Sequence, residues 1–240
     1  MPNTSSKIHK LSEGLLAIAQ KHVDFLGHAV ATLYENESTA DGIDGEYDTF
    51  TGEDESIGTE PWSPEAQDTF DYCFREWLFS NRSFEFHGKM LRASEIFLKV
   101  AFPYKPDAED RAYLDSLRNT VLGMYTIVDF DKTQRIITVR DVLNEKRLPV
   151  HARYSILLPD LEIGEVLGLR LIELHGETCV GYGIYRFMKK NVKKLVLSLN
   201  RVIQKDLKKI SDKDRDALYS TVVTDGIIRA WVQQLHFLYN

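Results

Sequence analysis

The pattern of hydrophobic and polar residues changes twice along the chain. Between residues 120 and 187, short runs rich in β-branched and aromatic side chains alternate with polar turns. Runs of this kind suit a pleated surface, whereas the sequence on either side repeats its apolar residues at helical spacing. The pattern therefore predicts an α+β protein with a helical N-terminal half, a small β-barrel and C-terminal helices.

The central segment, residues 120–187, is predicted to contain five strands. They span residues 124–128, 135–140, 147–154, 166–174 and 178–187. Their short connections favour antiparallel pairing, and hence a five-stranded antiparallel barrel of the SH3-like or OB-like type. Pro149 has no N–H to donate, which predicts an edge strand. Gly181 and Gly183 in the last strand predict a barrel corner rather than a ligand contact.

Two different segments precede residue 63. Residues 1–34 repeat their apolar positions at helical spacing from Leu11 to Tyr34, which predicts an N-terminal helix. Residues 35–62 contain ten carboxylates, four glycines and no lysine or arginine. This composition predicts a flexible acidic linker or loop. A calcium-loop register that starts at Asp44 is disfavoured because Thr49 stands where the turn glycine is needed.

Residues 63–119 are predicted to form a helical region. An N-cap serine at position 63 and a proline in the first turn mark its start. Phe70, Phe74 and Trp77 recur at helical spacing, which indicates a core face more than a partner groove. The predicted elements are a helix from Pro64 to Ser80, a connection from Asn81 to Gly88, a helix from Lys89 to Ala101 and a helix from Asp107 to Asn119.

The C-terminal segment, residues 188–240, is also predicted to be helical. Lys189–Ile210 carries one apolar stripe with basic residues on the other face, as in an amphipathic helix. Lys213–Leu238 predicts one or two further helices, and Asp225-Gly226 is the point at which two would be divided.

Charge is arranged in blocks along the chain. The net charge is −11 in residues 1–119, −2 in residues 120–185 and +7 in residues 186–240. One interpretation is that the acidic and basic blocks neutralise each other, within one fold or across a homodimer. The other is that the basic helix contacts an acidic partner such as a nucleic acid or a membrane surface. The candidate binding residues are Arg186, Lys189, Lys190, Lys193, Lys194, Arg201, Lys205 and Lys208.

Length and composition fit a globular protein. The chain has 240 residues, of which 43% are hydrophobic, enough for one large or two small domains. Its two cysteines lie far apart, which favours a reducing compartment over a disulfide framework. Met1–Lys10 lacks the apolar core of a signal peptide, and no stretch approaches the ~20 apolar residues of a membrane span. The sequence thus predicts a cytoplasmic protein without a membrane span.

Catalytic motifs are missing from the sequence. It contains neither a Gly-x-Ser-x-Gly elbow nor a glycine-rich phosphate loop. His151, with Asp141 or Asp160 nearby, can be argued into a site, but strand alternation places it on an outer face. Cys73 and Cys179 lie among aromatic or apolar residues, which predicts small buried side chains rather than nucleophiles. We expect no cofactor and no metal site.

Several short motifs occur in the helical region and the β segment. They are Trp77-Leu78-Phe79, Tyr125–Asp129, Val139–Asn144, Gly164–Leu167 and Arg170-Leu171. In these motifs the chain resembles, over roughly residues 70–187, a group of uncharacterised bacterial proteins, many of which carry a SEC-C zinc motif. The resemblance implies a helical region followed by a small β module. The zinc motif requires a cysteine cluster that is missing here, so the resemblance carries over no zinc-dependent role.

These patterns favour a non-enzymatic binding or adaptor protein that recognises another protein, with the groove between barrel and helices as the contact surface. The alternative is a nucleic-acid-binding or ribosome-associated factor that uses the basic residues of the C-terminal helix. A steep fall of affinity with salt would distinguish the alternative. An unrecognised hydrolase is the third hypothesis, and it requires a concave pocket that gathers His151 with two carboxylates.

Overall fold

The structure is a computed structural model. The residues that it describes are 21, 23–51, 63–100, 105–118, 120–152, 161–207 and 212–239. Their helices are α1 (residues 23–34), α2 (Ala40–Thr51), α3 (Pro64–Asn81), α4 (Ala93–Val100), α5 (Ala108–Leu117), α6 (Lys189–Leu207) and α7 (Asp212–Tyr239). Their strands are β1 (Ser83–Phe86), β2 (Lys89–Arg92), β3 (Leu122–Asp131), β4 (Ile136–Asp141), β5 (Arg147–His151), β6 (Val166–Leu174) and β7 (Glu177–Arg186). The α+β class and the small barrel between helices are confirmed.

The five strands β3–β7 close into a barrel in the order β3-β4-β5-β7-β6. All neighbours are antiparallel except β5 and β7, which are parallel and meet at the backbone pair His151↔Cys179. The prediction of a wholly antiparallel barrel is therefore wrong. Strand direction can alternate around a closed ring only if the number of strands is even. A closed barrel of five strands must contain a parallel pair.

The barrel separates two apolar clusters. Its interior is filled by small and branched side chains from every strand, among them Ile137, Val150, Leu169 and Ile184. A larger cluster lies outside, where the helices cover the barrel. Helix α3 packs against β7, and α7 packs against β3 and β7. Most of β7 is consequently buried on both faces.

Helix α3 begins as predicted. The Ser63 side chain accepts a hydrogen bond from the backbone N–H of Ala66, and Pro64 occupies the first turn, where no N–H is needed. The aromatic stripe on this helix is part of the core, because Phe70 and Trp77 are at most 3% exposed.

The acidic segment contains a helix, so the prediction of a flexible linker over residues 35–62 is wrong for Ala40–Thr51. Ile43 and Phe50 lie two turns apart on the same face of α2 and are buried, and Phe50 contacts Phe70 and Trp77. Residues 52–62 lie outside the described part of the chain. The part of the disfavoured calcium-loop register that the structure describes, from Asp44 to Thr51, is helical.

A β-hairpin replaces part of the predicted helical region. β1 and β2 pair around His87-Gly88, where both residues have positive φ angles of 51° and 74°, as a two-residue hairpin turn of type I′ requires. The sequence predicts a connection up to Gly88 and a helix from Lys89. The helix begins only at Ala93, because Phe84 and Phe86 alternate toward the core in the manner of a strand.

The C-terminal helices form an antiparallel pair. Helix α7 runs without interruption through Asp225-Gly226, so the suggested division there is wrong. Gly226 lies where α6 crosses, and a Cβ at this position would overlap the Leu199 side chain. Glycine here permits close helix packing, and it does not end the helix. Residues 11–20 of the predicted N-terminal helix lie outside the described residues, and residues 23–34 are helical.

Candidate functional site

Helix α6 has two chemically different faces. Leu195 and Leu199 are buried, and Val192, Val196 and Ile203 pack against the main core beside them. The other face consists of exposed basic residues. The segment is amphipathic as predicted, and its apolar face meets the rest of the protein.

The predicted binding residues divide into two groups. Arg186 Nε lies 3.8 Å from Glu165 Oε1, and Lys189 Nζ lies 3.2 Å from Glu162 Oε2, so the turn before β6 neutralises these two cations. The others are exposed and form no ion pair with any described residue; they are Lys190, Lys193, Lys194, Arg201 and Lys205. Lys208 lies outside the described residues.

The five cations without an ion pair share one helix face. Together with Leu197, their spacing follows i, i+3, i+4, i+7, i+11 and i+15, which places all of them on one side of a helix. The stripe from Lys190 to Lys205 is about 22 Å long at ~1.5 Å per residue. Leu197 is 62% exposed in the middle of it. Among the described residues, no carboxylate of residues 1–119 forms an ion pair with this face, so the neutralisation of the two charge blocks within one fold or across a homodimer stays a prediction.

A cleft of about 620 Å³ lies beside this stripe, between α6 and α7. Its α6 side is lined by Asn191, Lys194, Leu195, Ser198, Leu199 and Val202. This volume falls in the range of about 300–1,000 Å³ that is typical of ligand pockets. Lys194 belongs to both surfaces, so the cleft and the basic stripe are continuous.

Gln234 fixes the end of the cleft nearest the barrel. Its buried side-chain oxygen accepts hydrogen bonds from the backbone N–H of Met188 at 3.0 Å and from Asn191 Nδ2 at 3.1 Å. Its amide nitrogen donates to the Ala230 carbonyl at 3.0 Å. The first turn of α6 is therefore held against α7, which keeps the cleft walls in a defined position.

One carboxylate lies within the cleft. Loss of hydration raises the pKa of Asp225, while the positive charges of Arg82 and Arg229 oppose that shift. Arg229, like Lys194, lines the cleft. The lining therefore combines an apolar base, several amides, two cations and one acid.

A second charged centre is sealed inside the protein. Glu76 on α3 accepts hydrogen bonds from the backbone N–H groups of Tyr182 at 2.5 Å and Gly183 at 2.8 Å. Arg170 on β6 places its Nε 3.5 Å from Glu76 Oε1, and both side chains are 0% exposed. Burial raises the pKa of Glu76, whereas Arg170 and the two N–H donors lower it. Because solvent reaches neither side chain, we assign this pair to the joint between helix and barrel.

Sequence reasoning missed the Glu76–Arg170 pair. The available signals were a carboxylate inside an aromatic stripe and an arginine inside an apolar strand. The strand glycines were a third signal, because a Cβ at Gly181 would lie 2.7 Å from Glu76 Oε1 and one at Gly183 would lie 3.2 Å from the Cys73 Cα. The close approach of α3 therefore explains why glycine stands at both positions.

Of the described residues considered for catalysis, His151 and Asp141 do not lie together, because His151 pairs with Ile136 at one end of β4 and Asp141 is at the other end. His151 lies on β5, Asp141 turns its carboxylate to the backbone N–H groups of Leu143 and Asn144, and Asp160 lies outside the described residues. Burial raises the pKa of the Cys73 thiol well above its ordinary value, which disfavours the thiolate. Among the described residues, no three potential metal ligands lie together.

Comparison with known proteins adds no relative. No family model matches the chain, and no curated protein or solved structure is similar to it at a significant level. The resemblance to the SEC-C-associated group therefore rests on the short motifs described above. In the part of the chain that the structure describes, no helix is long and apolar enough to cross a membrane.

Proposed function

We propose that this chain is a non-enzymatic adaptor that docks an acidic partner protein on α6. The observation that carries the proposal is the solvent exposure of the basic stripe, whose five cations form no ion pair with the described residues. Charge of one sign on one side of a helix attracts a partner of the opposite sign and speeds its association.

The chemistry around the stripe favours a protein over a nucleic acid. Exposed Leu197 and the cleft next to Lys194 add apolar surface to the cations. Proteins that bind single-stranded nucleic acid stack its bases on aromatic side chains. The sequence of α6 contains no aromatic residue, and none is found among the described residues that line the cleft. Cations beside apolar and amide groups suit an amphipathic acidic protein surface.

Nucleic acid is the second candidate, and the same exposed cations support it. A single strand in contact with all five would release counterions, so that the logarithm of the affinity falls with the logarithm of salt concentration at a slope of about −3.5. A protein partner that also buries apolar surface retains a larger part of its affinity in salt.

The test is a comparison of two charge variants in capture from native lysate. In the first variant, Lys190, Lys193, Arg201 and Lys205 are replaced by glutamine. In the control variant, the exposed residues Lys89, Lys105, Lys132 and Lys146 are replaced by glutamine, which removes equal charge away from α6. We expect the first variant to reduce capture of a specific protein at least ~10-fold, while the control captures it normally.

Nuclease treatment distinguishes the two partners. Nuclease should leave the amount of protein that the wild-type chain captures unchanged. The variant with glutamines on α6 should lose this capture. Equal capture by both charge variants would contradict the proposal. Loss of the captured material on nuclease treatment would establish the nucleic-acid alternative in its place.

A further inference from the structure

The cleft between α6 and α7 is an elongated groove along two antiparallel helices. Its α6 lining runs from Asn191 to Val202, and its α7 lining runs from Val222 to Gln234. On each helix these residues recur at i, i+3, i+4, i+7 and i+8, which is the spacing of one helix face. The groove is therefore about 17 Å long at ~1.5 Å per residue.

The two helices face each other in a regular antiparallel register. Asn191 contacts Gln234 at one end, and Leu199 packs on Gly226 near the middle. Because Gly226 has no side chain, nothing projects from α7 where the Leu199 side chain packs. The base of the groove is apolar there, while its charged side chains are exposed along the edges.

The charges at the edges limit the choice of occupant. Lys194 is exposed on the α6 edge, and Arg229 is exposed on the α7 edge. Asp225, one turn before Arg229, is the acid of the lining and faces the same space. An occupant with an apolar side for the base and carboxylates on both flanks would satisfy the base and the two cations together.

We propose that the groove binds one acidic, amphipathic helical segment of the partner protein. This inference rests on the proposed function and names the partner element that the α6 surface would recognise. A groove of about 17 Å accommodates about three helical turns, so the segment would present apolar residues at i, i+3 or i+4, and i+7. Seated there, it becomes the third helix of a bundle with α6 and α7.

The test uses two labelled peptides of about 18 residues that are designed as helices. Both carry leucines at i, i+3, i+4 and i+7. One has glutamates on both flanks, and the other has glutamines there. Fluorescence anisotropy with the full chain should show that the glutamate peptide binds at least ~5-fold more tightly, and that added salt reduces this difference.

Two variants separate the groove from the rest of the surface. Ser198→Trp fills the groove, and Met90→Trp adds the same ring to the exposed β1–β2 hairpin. We expect Ser198→Trp to weaken binding of the glutamate peptide at least ~10-fold and Met90→Trp to change it less than ~2-fold. Thermal unfolding of both variants verifies that they fold. Reversal of the edge charges by Lys194→Glu with Arg229→Glu provides an independent loss of binding if Ser198→Trp destabilises the chain.

Each other occupant gives a distinct result that overturns the inference. If Ser198→Trp left the binding of the glutamate peptide unchanged, the segment would bind outside the groove. This result would overturn the inference even if the glutamine variants in the capture experiment still supported the proposed function. If an oligothymidylate bound more tightly than the peptide, and if Ser198→Trp abolished its binding, the occupant would be a nucleic acid. A dimer in light scattering that Ser198→Trp dissociates would identify a second copy of this chain.

Discussion

A buried ion pair joins helix α3 to the barrel. Glu76 and Arg170 are both 0% exposed, and the carboxylate also accepts two backbone N–H groups from β7. Arg170 further donates to Asn81 Oδ1 at 2.5 Å and to the Thr120 carbonyl at 3.4 Å. Buried charges are costly unless they are paired and hydrogen-bonded, and here the partners come from α3, β6 and β7.

The consequence for stability can be measured by removing one partner. Glu76→Leu leaves the Arg170 guanidinium without its counter-charge and two N–H groups of β7 without an acceptor. We expect it to lower the free energy of unfolding by about 3–5 kcal/mol in urea titration. Adding Arg170→Leu should recover part of the loss, because the two residues act as a unit. If Arg170→Leu destabilised the Glu76→Leu variant as much as it destabilises the wild-type protein, the two residues would not be coupled.

Individual residues differ in how far their surroundings can be predicted from the sequence. The N-cap at Ser63 and the buried state of Cys73 followed from local chemistry and are confirmed. Arg170, the partner of Glu76, lies 94 positions further along the chain, and no local sequence pattern predicts a contact over that separation. The sequence predicts a barrel corner at the glycines at 181 and 183, and only the fold shows that helix α3 approaches both of them closely.

At the level of elements, composition and periodicity disagree in α2. The segment is acidic and contains glycine, which predicts a linker, but Ile43, Tyr47 and Phe50 recur at i, i+4 and i+7. The apolar period decides the outcome because Tyr47 and Phe50 both contact Phe70 in the aromatic stripe of α3. Glu46 adds an ion pair to Arg82, with Nε 2.5 Å from Oε2.

Removal of one ring tests whether packing holds α2 in place. Phe50 is 2% exposed and contacts four aromatic rings on α3 and α7. We expect Phe50→Ala to lower the free energy of unfolding by about 3–5 kcal/mol, since it leaves a large cavity in the core. Asp48→Ala on the exposed face of the same helix should change it by less than about 0.5 kcal/mol. Equal effects of the two variants would show that α2 is not packed in solution.

The other elements differ in how far periodicity could define them. The strands of the barrel were predictable because alternation and turn residues are local signals. The hairpin of β1 and β2 was missed because its strands have four residues each, too few to establish a period. The closure of the barrel sets the parallel contact of β5 with β7, and closure is a property of the whole sheet.

At the scale of the molecule, the separation of charge remains visible in three dimensions. The C-terminal block of +7 includes the exposed stripe on α6, while the acidic block of −11 lies in the residues before the barrel. Only Arg186 and Lys189, among the predicted binding residues that the structure describes, meet a carboxylate within 4 Å. The basic surface is thus directed to solvent, where a partner can reach it.

The most direct test of the account is a site-specific photo-crosslink in native lysate. A benzophenone amino acid replaces Leu197, which is 62% exposed within the basic stripe, or Met90, which is 67% exposed on the β1–β2 hairpin. We expect position 197, and not position 90, to form a covalent product with a specific protein, and we expect nuclease to leave the product intact. Equal labelling at both positions, or a product at position 197 that nuclease removes, would contradict an acidic partner protein on α6.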